Sequence, residues 1–131
     1  MKKNLCVTAV ASLLLFSGCH TADPEPDYSG IQSLSYTITA KSDLLLSSDA
    51  VWVYPTFFLD LVHVDVNLQG GEQVVVYLSD EKGRYSKKIE FPAGTGDYQA
   101  IINFSGMPKG IYMSEVHLAD KVSRFRLIKA E

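Results

Sequence analysis

The stretch from Asn103 to Tyr112 constrains the fold of this chain more than any other part of its sequence. Apolar and polar residues alternate before and after it, and two glycines and a proline interrupt the alternation. Alternation with a period of two is typical of β-strands, and Gly and Pro mark their connections. We therefore expect a corner between two strands, with the glycines at backbone angles that side chains resist. The inward residues of this structural corner are predicted to be Phe104, Met107 and Tyr112, and its glycines are Gly106 and Gly110.

The same alternation recurs along the chain from about Leu34 to the C-terminus. Short candidate strands are separated by polar turns such as Asp80–Gly83, and no helical periodicity is present. Several short strands at regular spacing are typical of an antiparallel β-sandwich. The sequence therefore predicts a single all-β domain over residues 34–131.

The N-terminus has the composition of a secretory signal. Lys2 and Lys3 precede an apolar run from Leu5 to Phe16, and Ser-Gly-Cys follows it. The run is shorter than the ~20 residues that a membrane-spanning helix requires. The segment resembles the lipobox of bacterial lipoproteins. This resemblance implies a signal peptide over 1–18 and a lipid anchor at Cys19, and the alternative is ordinary cleavage that leaves a free thiol.

Residues 19–33 are predicted to form a tether. They are rich in Asp, Glu and Pro and poor in apolar side chains, so they cannot bury enough surface to offset chain entropy. An acidic segment behind a lipidated cysteine also resembles the surface-export signal of some Gram-negative lipoproteins. The expected location is therefore the outer membrane, facing the cell surface, with a periplasm-facing orientation as the alternative.

Cysteine content and charge restrict the mature chain further. Cys6 lies in the segment that is removed, so Cys19 has no partner for a disulfide within one mature chain. Removing Lys2 and Lys3 from the 12 basic residues leaves 10 against 15 acidic ones, a net charge of −5. This charge argues against nucleic acid as a partner.

Two motifs carry a resemblance that extends from about Val51 to Lys129. They are the turn Ser79–Gly83 and the corner Met107–Tyr112, which reads Met-Pro-Lys-Gly-Ile-Tyr. The pattern resembles an uncharacterised family of small secreted immunoglobulin-like β-sandwich proteins of gut-type Gram-negative anaerobes. The resemblance implies an immunoglobulin-like sandwich of about seven strands and carries no catalytic residues. The corner also resembles C-terminal sorting domains of the type 9 secretion route.

Two pairs of potential acid–base or metal-binding residues stand out. His63 and Asp65 share one strand face, and Glu115 and His117 share another. In an immunoglobulin-like topology the two pairs lie on opposite sides of the sandwich. Each pair offers two ligands, fewer than a zinc site needs. We interpret all four as solvated surface residues.

No other pattern supports an enzyme or a cofactor. No Ser lies in a Gly-x-Ser-x-Gly context, and the Gly94–Gly96 loop lacks the strand-to-helix setting of a phosphate cradle. Asp80, Glu81 and Asp97 could meet a calcium ion, but their spacing fits no known loop motif. The expectation is a non-enzyme that holds neither metal nor cofactor.

The sequence favours a binding surface over an active site. An outward stripe is predicted at Val75, Tyr77, Ile111 and Met113, with a charged rim at Glu115, His117, Arg124 and Arg126. An apolar stripe with a charged rim is typical of a protein-docking surface. The alternative is that residues 34–54 fold across this stripe and bury it.

Trp52 and Tyr54 form a second candidate surface. They lie two residues apart, so both project from one side of an extended segment that Pro55 places at a sheet edge. Exposed aromatics at this spacing can stack on sugar rings, whereas a lone Trp near a sandwich is more often part of the core. The sequence thus favours a surface-anchored, non-catalytic module that binds a protein or a glycan. The alternative function is a periplasm-facing accessory or sorting-type domain.

Overall fold

The structure is a computed structural model that describes residues 24–41, 51–68 and 73–131. The signal peptide 1–18 and Cys19 lie outside these ranges. Within them the chain forms a short 3₁₀-helix, Ser29–Ser33, and nine strands. The strands are β1 (Ser35–Lys41), β2 (Val51–Tyr54), β3 (Phe57–Phe58), β4 (Leu61–Leu68), β5 (Val74–Asp80), β6 (Ser86–Glu90), β7 (Gly96–Asn103), β8 (Gly110–Leu118) and β9 (Lys121–Lys129).

The strands form two packed sheets, which confirms the all-β sandwich. One sheet has four strands in the order β1-β7-β4-β2, and the other has five in the order β3-β9-β8-β5-β6. From β4 onward the order is that of an immunoglobulin-like fold, with β4 and β7 neighbours in one sheet and β9, β8 and β5 in the other. β1 occupies the outer edge beside β7, although it comes first in the chain.

Two details of the predicted sandwich are wrong. There are nine strands in the described ranges rather than about seven, because Pro55 and the bend at Leu59–Asp60 divide the 51–68 segment into three. The sandwich is also not purely antiparallel, since β3 pairs with β9 in parallel at Phe57 and Phe58. The chain crosses from the first sheet to the second between β2 and β3, and β3 then runs in the same direction as its neighbour β9.

The corner between β7 and β8 connects the two sheets, and its aromatic side chains fill the core. Phe104 and Tyr112 are fully buried, Met107 is nearly so, and the Phe104 ring contacts both Phe58 and Tyr112, with centroids 4.9 and 5.1 Å apart. The Tyr112 hydroxyl donates a hydrogen bond to the Pro108 carbonyl at 2.5 Å. A tyrosine near the start of a strand whose hydroxyl bonds back to the backbone a few residues upstream is the arrangement known as a tyrosine corner in immunoglobulin-like folds.

The two corner glycines both have positive φ. Gly106 lies at +83° and Gly110 at +146°. A Cβ at Gly106 would meet nothing within 4 Å, whereas one at Gly110 would lie 3.0 Å from the Tyr28 hydroxyl. At Gly106 the backbone conformation alone favours glycine. At Gly110 the nearby Tyr28 hydroxyl is a second reason, because it leaves little room for a Cβ.

The domain begins earlier than the boundary at Leu34 drawn from composition. Ile31 is fully buried in the core, and the Tyr28 ring packs edge-on against Tyr112 with centroids 5.7 Å apart. Glu25 accepts hydrogen bonds from Lys82 at 2.9 Å and Arg84 at 2.7 Å. Residues 24–33 are therefore packed against the sandwich, and the tether predicted over 19–33 is too long at its C-terminal end.

Residues 35–41 and 51–54 do not cover the predicted outward stripe. They form β1 and β2, the two edge strands of the four-stranded sheet, whereas the stripe belongs to the five-stranded one. The alternative in which the whole 34–54 segment folds across the stripe is therefore wrong for these strands. Among the residues that the structure describes, no helix has the length and apolarity needed to cross a bilayer.

Candidate binding surface

The outer face of the four-stranded sheet carries the most exposed aromatic pair of the sandwich strands; we call this face the platform. β2 presents Trp52 and Tyr54 outward and buries Val53. The exposed fraction of Trp52 is 58% and that of Tyr54 is 40%, so the tryptophan is not part of the core. In the register of β2 against β4, Trp52 lies opposite Asp65 and Tyr54 opposite His63.

A hydrogen-bond network joins Tyr54 to polar side chains on the two neighbouring strands. Asp65 is only 6% exposed, and its Oδ2 accepts a hydrogen bond from the Tyr54 hydroxyl at 2.7 Å. Gln99, on β7, donates from Nε2 to Asp65 Oδ1 at 2.8 Å and to the Tyr54 hydroxyl at 3.1 Å. The interpretation of Asp65 as a solvated surface residue is therefore wrong, because neighbouring side chains bury and bind its carboxylate.

The chemistry of this network fixes its direction. A carboxylate only accepts hydrogen bonds, so Tyr54 and the Gln99 amide nitrogen must both donate to Asp65. The Gln99 carbonyl oxygen then points away and has no protein donor in the described part of the chain. The hydrogen bond to Asp65 raises the pKa of the Tyr54 hydroxyl above its ordinary value of 10.

His63 holds Tyr54 from the other side. The imidazole and the Tyr54 ring are stacked with centroids 5.3 Å apart and planes 7° from parallel. His63 Nδ1 is buried without a hydrogen-bond partner among the described residues. Tyr54 is thus fixed by both its ring and its hydroxyl, while Trp52 makes no aromatic pair within these ranges and its ring remains accessible.

The rest of the platform is mostly polar. The pairing of β4, β7 and β1 continues the Trp52–Asp65 row through Gln99 to Thr39, and the Tyr54–His63 row through Ile101 to Thr37. Gln99 was not found from the sequence. The sequence places Gln99 two residues before Ile101 on a candidate strand. It does not give the register between β4 and β7, which brings Gln99 beside Asp65.

The outer face of the five-stranded sheet carries the predicted docking stripe and its rim. Val75, Tyr77, Ile111 and Met113 are half-buried, and the two rim arginines are exposed. Glu115 accepts hydrogen bonds from His117 at 2.5 Å and from Arg124 at 2.9 Å, and both lower the pKa of its carboxyl. The Tyr77 and His117 rings meet edge to face at 5.1 Å. A groove of about 430 Å³ borders this face beside the β5–β6 turn.

The two acid–histidine pairs lie in different sheets, β4 in one and β8 in the other. Likewise, Asp80 ends a strand of the five-stranded sheet, where it accepts hydrogen bonds from Arg84, while Asp97 lies in the four-stranded one. Within residues 24–41, 51–68 and 73–131, no three His, Cys, Asp or Glu side chains come together as metal ligands would.

Fold and surface together define an all-β sandwich with an exposed aromatic pair on a hydrogen-bonded polar face. Comparison of the chain with protein-family models, with curated proteins and with solved structures finds no match. The resemblance to small secreted sandwich proteins therefore stays a prediction. The function has to be argued from the surfaces themselves.

Proposed function

We propose that this protein is a lipid-anchored, non-catalytic binding module of the cell envelope, with the platform as its ligand-binding surface. The observation that carries this proposal is Trp52, which is 58% exposed beside a carboxylate that is 6% exposed. Tyr54 and Gln99 hold that carboxylate in place before any ligand arrives. A rigid polar group beside an open aromatic ring is typical of a recognition site.

The energetics of the platform favour a role in binding over a role in stability. An exposed tryptophan leaves a large apolar area in water and gains little for the fold. Burying Asp65 removes a charge from water, and its partners are neutral hydrogen-bond donors rather than a cation. The domain would fold at lower cost with aliphatic or simple polar residues at these positions. A ligand that covers Trp52 would supply a reason for the arrangement.

The proposed anchor is Cys19, which gives the module its location at the outer membrane. We expect the Cys19→Ala variant to move from the membrane to the soluble fraction of its own cells, and labelling with a fatty-acid analogue to disappear. Full membrane retention of this variant would contradict a lipid anchor. Proteolysis of intact cells then decides between a surface and a periplasm-facing orientation, because only a surface-displayed domain is cut.

Photo-crosslinking tests the binding function directly. A benzophenone amino acid replaces Trp52 in the lipidated full-length protein, expressed in its own cells, and a matched protein carries it at Phe57. Phe57 is 66% exposed but lies in β3, in the other sheet. We expect an adduct with an envelope component at position 52 that is absent at position 57; an adduct at 57 alone would instead support the five-stranded face as the contact surface. Equal or absent adducts would contradict the platform as a binding surface.

The five-stranded face supports assembly into an envelope or secretion complex as a second candidate function. At one end of this face, exposed Phe57 and Ile128 are cross-strand neighbours, and Ile111 lies beside Ile128. An apolar end of this kind suits a protein contact. We expect Met113→Glu to abolish a native-gel complex if this face is used, while Trp52→Ala leaves the complex intact. The reverse pattern would favour the platform.

A further inference from the structure

We infer that the ligand of the platform is a neutral carbohydrate chain that stacks on Trp52 and lies across β2, β4 and β7. This inference rests on the proposed binding function and names the ligand class for the same surface. Three observations carry it: the geometry of the aromatic ring, the hydrogen-bonding groups beside it, and the charge of the face.

The aromatic part of the platform suits a sugar ring. One face of a pyranose carries aliphatic C–H groups, and these pack against the face of an aromatic ring. Tyr54 is stacked on His63 at 5.3 Å, so only part of its ring is open, whereas Trp52 has no stacking partner in the described ranges. Trp52 therefore provides the stacking surface, and Tyr54 is the support that orients the polar groups.

The polar groups next to Trp52 suit hydroxyl groups. Asp65 lies directly opposite Trp52 across the strand pair, and Gln99 follows in the same row. Asp65 is only 6% exposed, so a ligand meets the two side chains that cover it, half-buried Gln99 and exposed Tyr54. The Gln99 carbonyl oxygen and the Tyr54 hydroxyl oxygen are the acceptors that these side chains present. A ligand rich in O–H donors satisfies these acceptors. Thr39 extends this row, and Thr37 ends the neighbouring one, each with a hydroxyl group that both donates and accepts.

The shape and charge of the face favour an extended neutral chain. Four strands at ~4.8 Å spacing give a row of about 14 Å from Trp52 to Thr39, which is longer than one sugar ring. No lysine or arginine forms an ion pair with Asp65 among the described residues, and Lys41, on the same face, lies opposite Asp97 in the register of β1 and β7. An acidic glycan lying over this row would be repelled by the buried carboxylate below it.

A protein ligand fits the platform less well. Protein-docking surfaces have an apolar centre and a polar rim, with charged groups depleted at the core. Here the centre of the face holds Asp65 and Gln99, and the aromatic residues lie at the edge strand. The distribution of polarity is the inverse of what a protein contact requires.

The single tryptophan of the chain provides a specific signal for the test. The lipidated full-length protein in detergent is titrated with neutral oligosaccharides of glucose, xylose, mannose and N-acetylglucosamine, and with an acidic oligosaccharide of galacturonic acid. We expect at least one neutral oligosaccharide to shift the Trp52 emission to shorter wavelength and to protect it from acrylamide quenching. The acidic one should bind more weakly, and added salt should change the neutral affinity little.

Variants then locate the site by calorimetry. We expect Trp52→Ala to weaken binding by about tenfold or more and Trp52→Phe by less, because phenylalanine keeps a stacking ring. Phe57→Ala, which removes a comparably exposed ring from the other sheet, should leave the affinity unchanged. An unaltered thermal midpoint in Trp52→Ala shows that the domain remains folded.

Two results would overturn the inference: no protection of Trp52 by any oligosaccharide at millimolar concentration, or strongest binding by the acidic one. In the first case the crosslink at position 52 separates the two proposals. A protein adduct at position 52 would support the proposal of a binding module and contradict only the proposal of a carbohydrate ligand. Absence of any specific adduct at position 52 would contradict both proposals.

Discussion

Tyr112 combines two roles at the corner between the sheets. Its ring is fully buried and contacts Phe104 and Tyr28, and its hydroxyl donates to the Pro108 carbonyl four residues upstream. The ring therefore joins three parts of the chain, while the hydroxyl fixes the loop that leads into β8. Packing and hydrogen bonding can be separated at this residue by two substitutions.

We expect Tyr112→Ala to lower the free energy of unfolding by about 3–5 kcal/mol, since it empties a large aromatic site in the core. Tyr112→Phe keeps the ring and removes only the hydrogen bond to Pro108, at a cost of about 1–2 kcal/mol. Urea unfolding followed by circular dichroism measures both. A loss near zero for the alanine variant would mean that the ring does not join the sheets.

At the scale of elements, the β7–β8 corner depends on its two glycines in different ways. Both have positive φ, but only at Gly110 would an added methyl group also meet another side chain, the Tyr28 hydroxyl at 3.0 Å. We expect Gly106→Ala to destabilise the domain by about 1 kcal/mol and Gly110→Ala by about 2–3 kcal/mol. Denaturation midpoints of the two variants provide the comparison, and a larger loss at Gly106 would contradict it.

The segment that precedes β1 is a second element whose contribution can be measured. Ile31 is fully buried in the short helix Ser29–Ser33, so Ile31→Ala should cost about 2–5 kcal/mol. Ser33→Ala is the matched control, because this nearby side chain is exposed and makes no hydrogen bond to another described residue. A protein that starts at Leu34 should be destabilised at least as much as Ile31→Ala. If the protein that starts at Leu34 were as stable as the full-length one, residues 24–33 would belong to the tether and not to the domain.

The corner and the platform differ in how far the sequence predicts them. The alternation around Asn103–Tyr112 and its Gly and Pro residues are local, so the corner can be predicted without knowing which strands pair. The contact of Asp65 with Gln99 joins residues 34 positions apart and depends on the register of β4 against β7. Period-two alternation places Asp65 on an outer face, but it cannot show that Tyr54 and Gln99 bury the carboxylate there.

At the scale of the whole molecule, titratable groups at separate sites set the pH range of stability. Burial raises the pKa of Tyr112 above its ordinary value of 10, while hydrogen bonds from His117 and Arg124 lower the pKa of Glu115 below 4.5. The pKa of salt-bridged Glu25 is also lowered, by Lys82 and Arg84. The raised pKa of Tyr112 affects stability at alkaline pH, and the lowered pKa values of Glu115 and Glu25 affect it at acid pH.

The sign of each effect follows from which state binds more protons. Folded Tyr112 retains its proton when the unfolded chain has lost it, so its contribution is full below pH 10 and is lost as pH rises through the folded-state pKa. Folded Glu115 remains ionised when the unfolded chain is protonated, so its contribution is present above pH 4.5 and is lost as pH falls through the folded-state pKa. We therefore expect a plateau of stability between about pH 5 and pH 9.5.

Urea midpoints measured across this range, in the wild type and two variants, test the assignment. Tyr112→Phe should flatten the alkaline decline and leave the acid side unchanged, because phenylalanine does not titrate. Glu115→Gln should make the acid decline shallower, with the contribution of Glu25 remaining, and should leave the alkaline side unchanged. If the stability of Tyr112→Phe fell at alkaline pH as steeply as that of the wild type, another tyrosine would be responsible for the decline. Tyr54 is then the group to examine, since its hydrogen bond to Asp65 raises its pKa in the same direction.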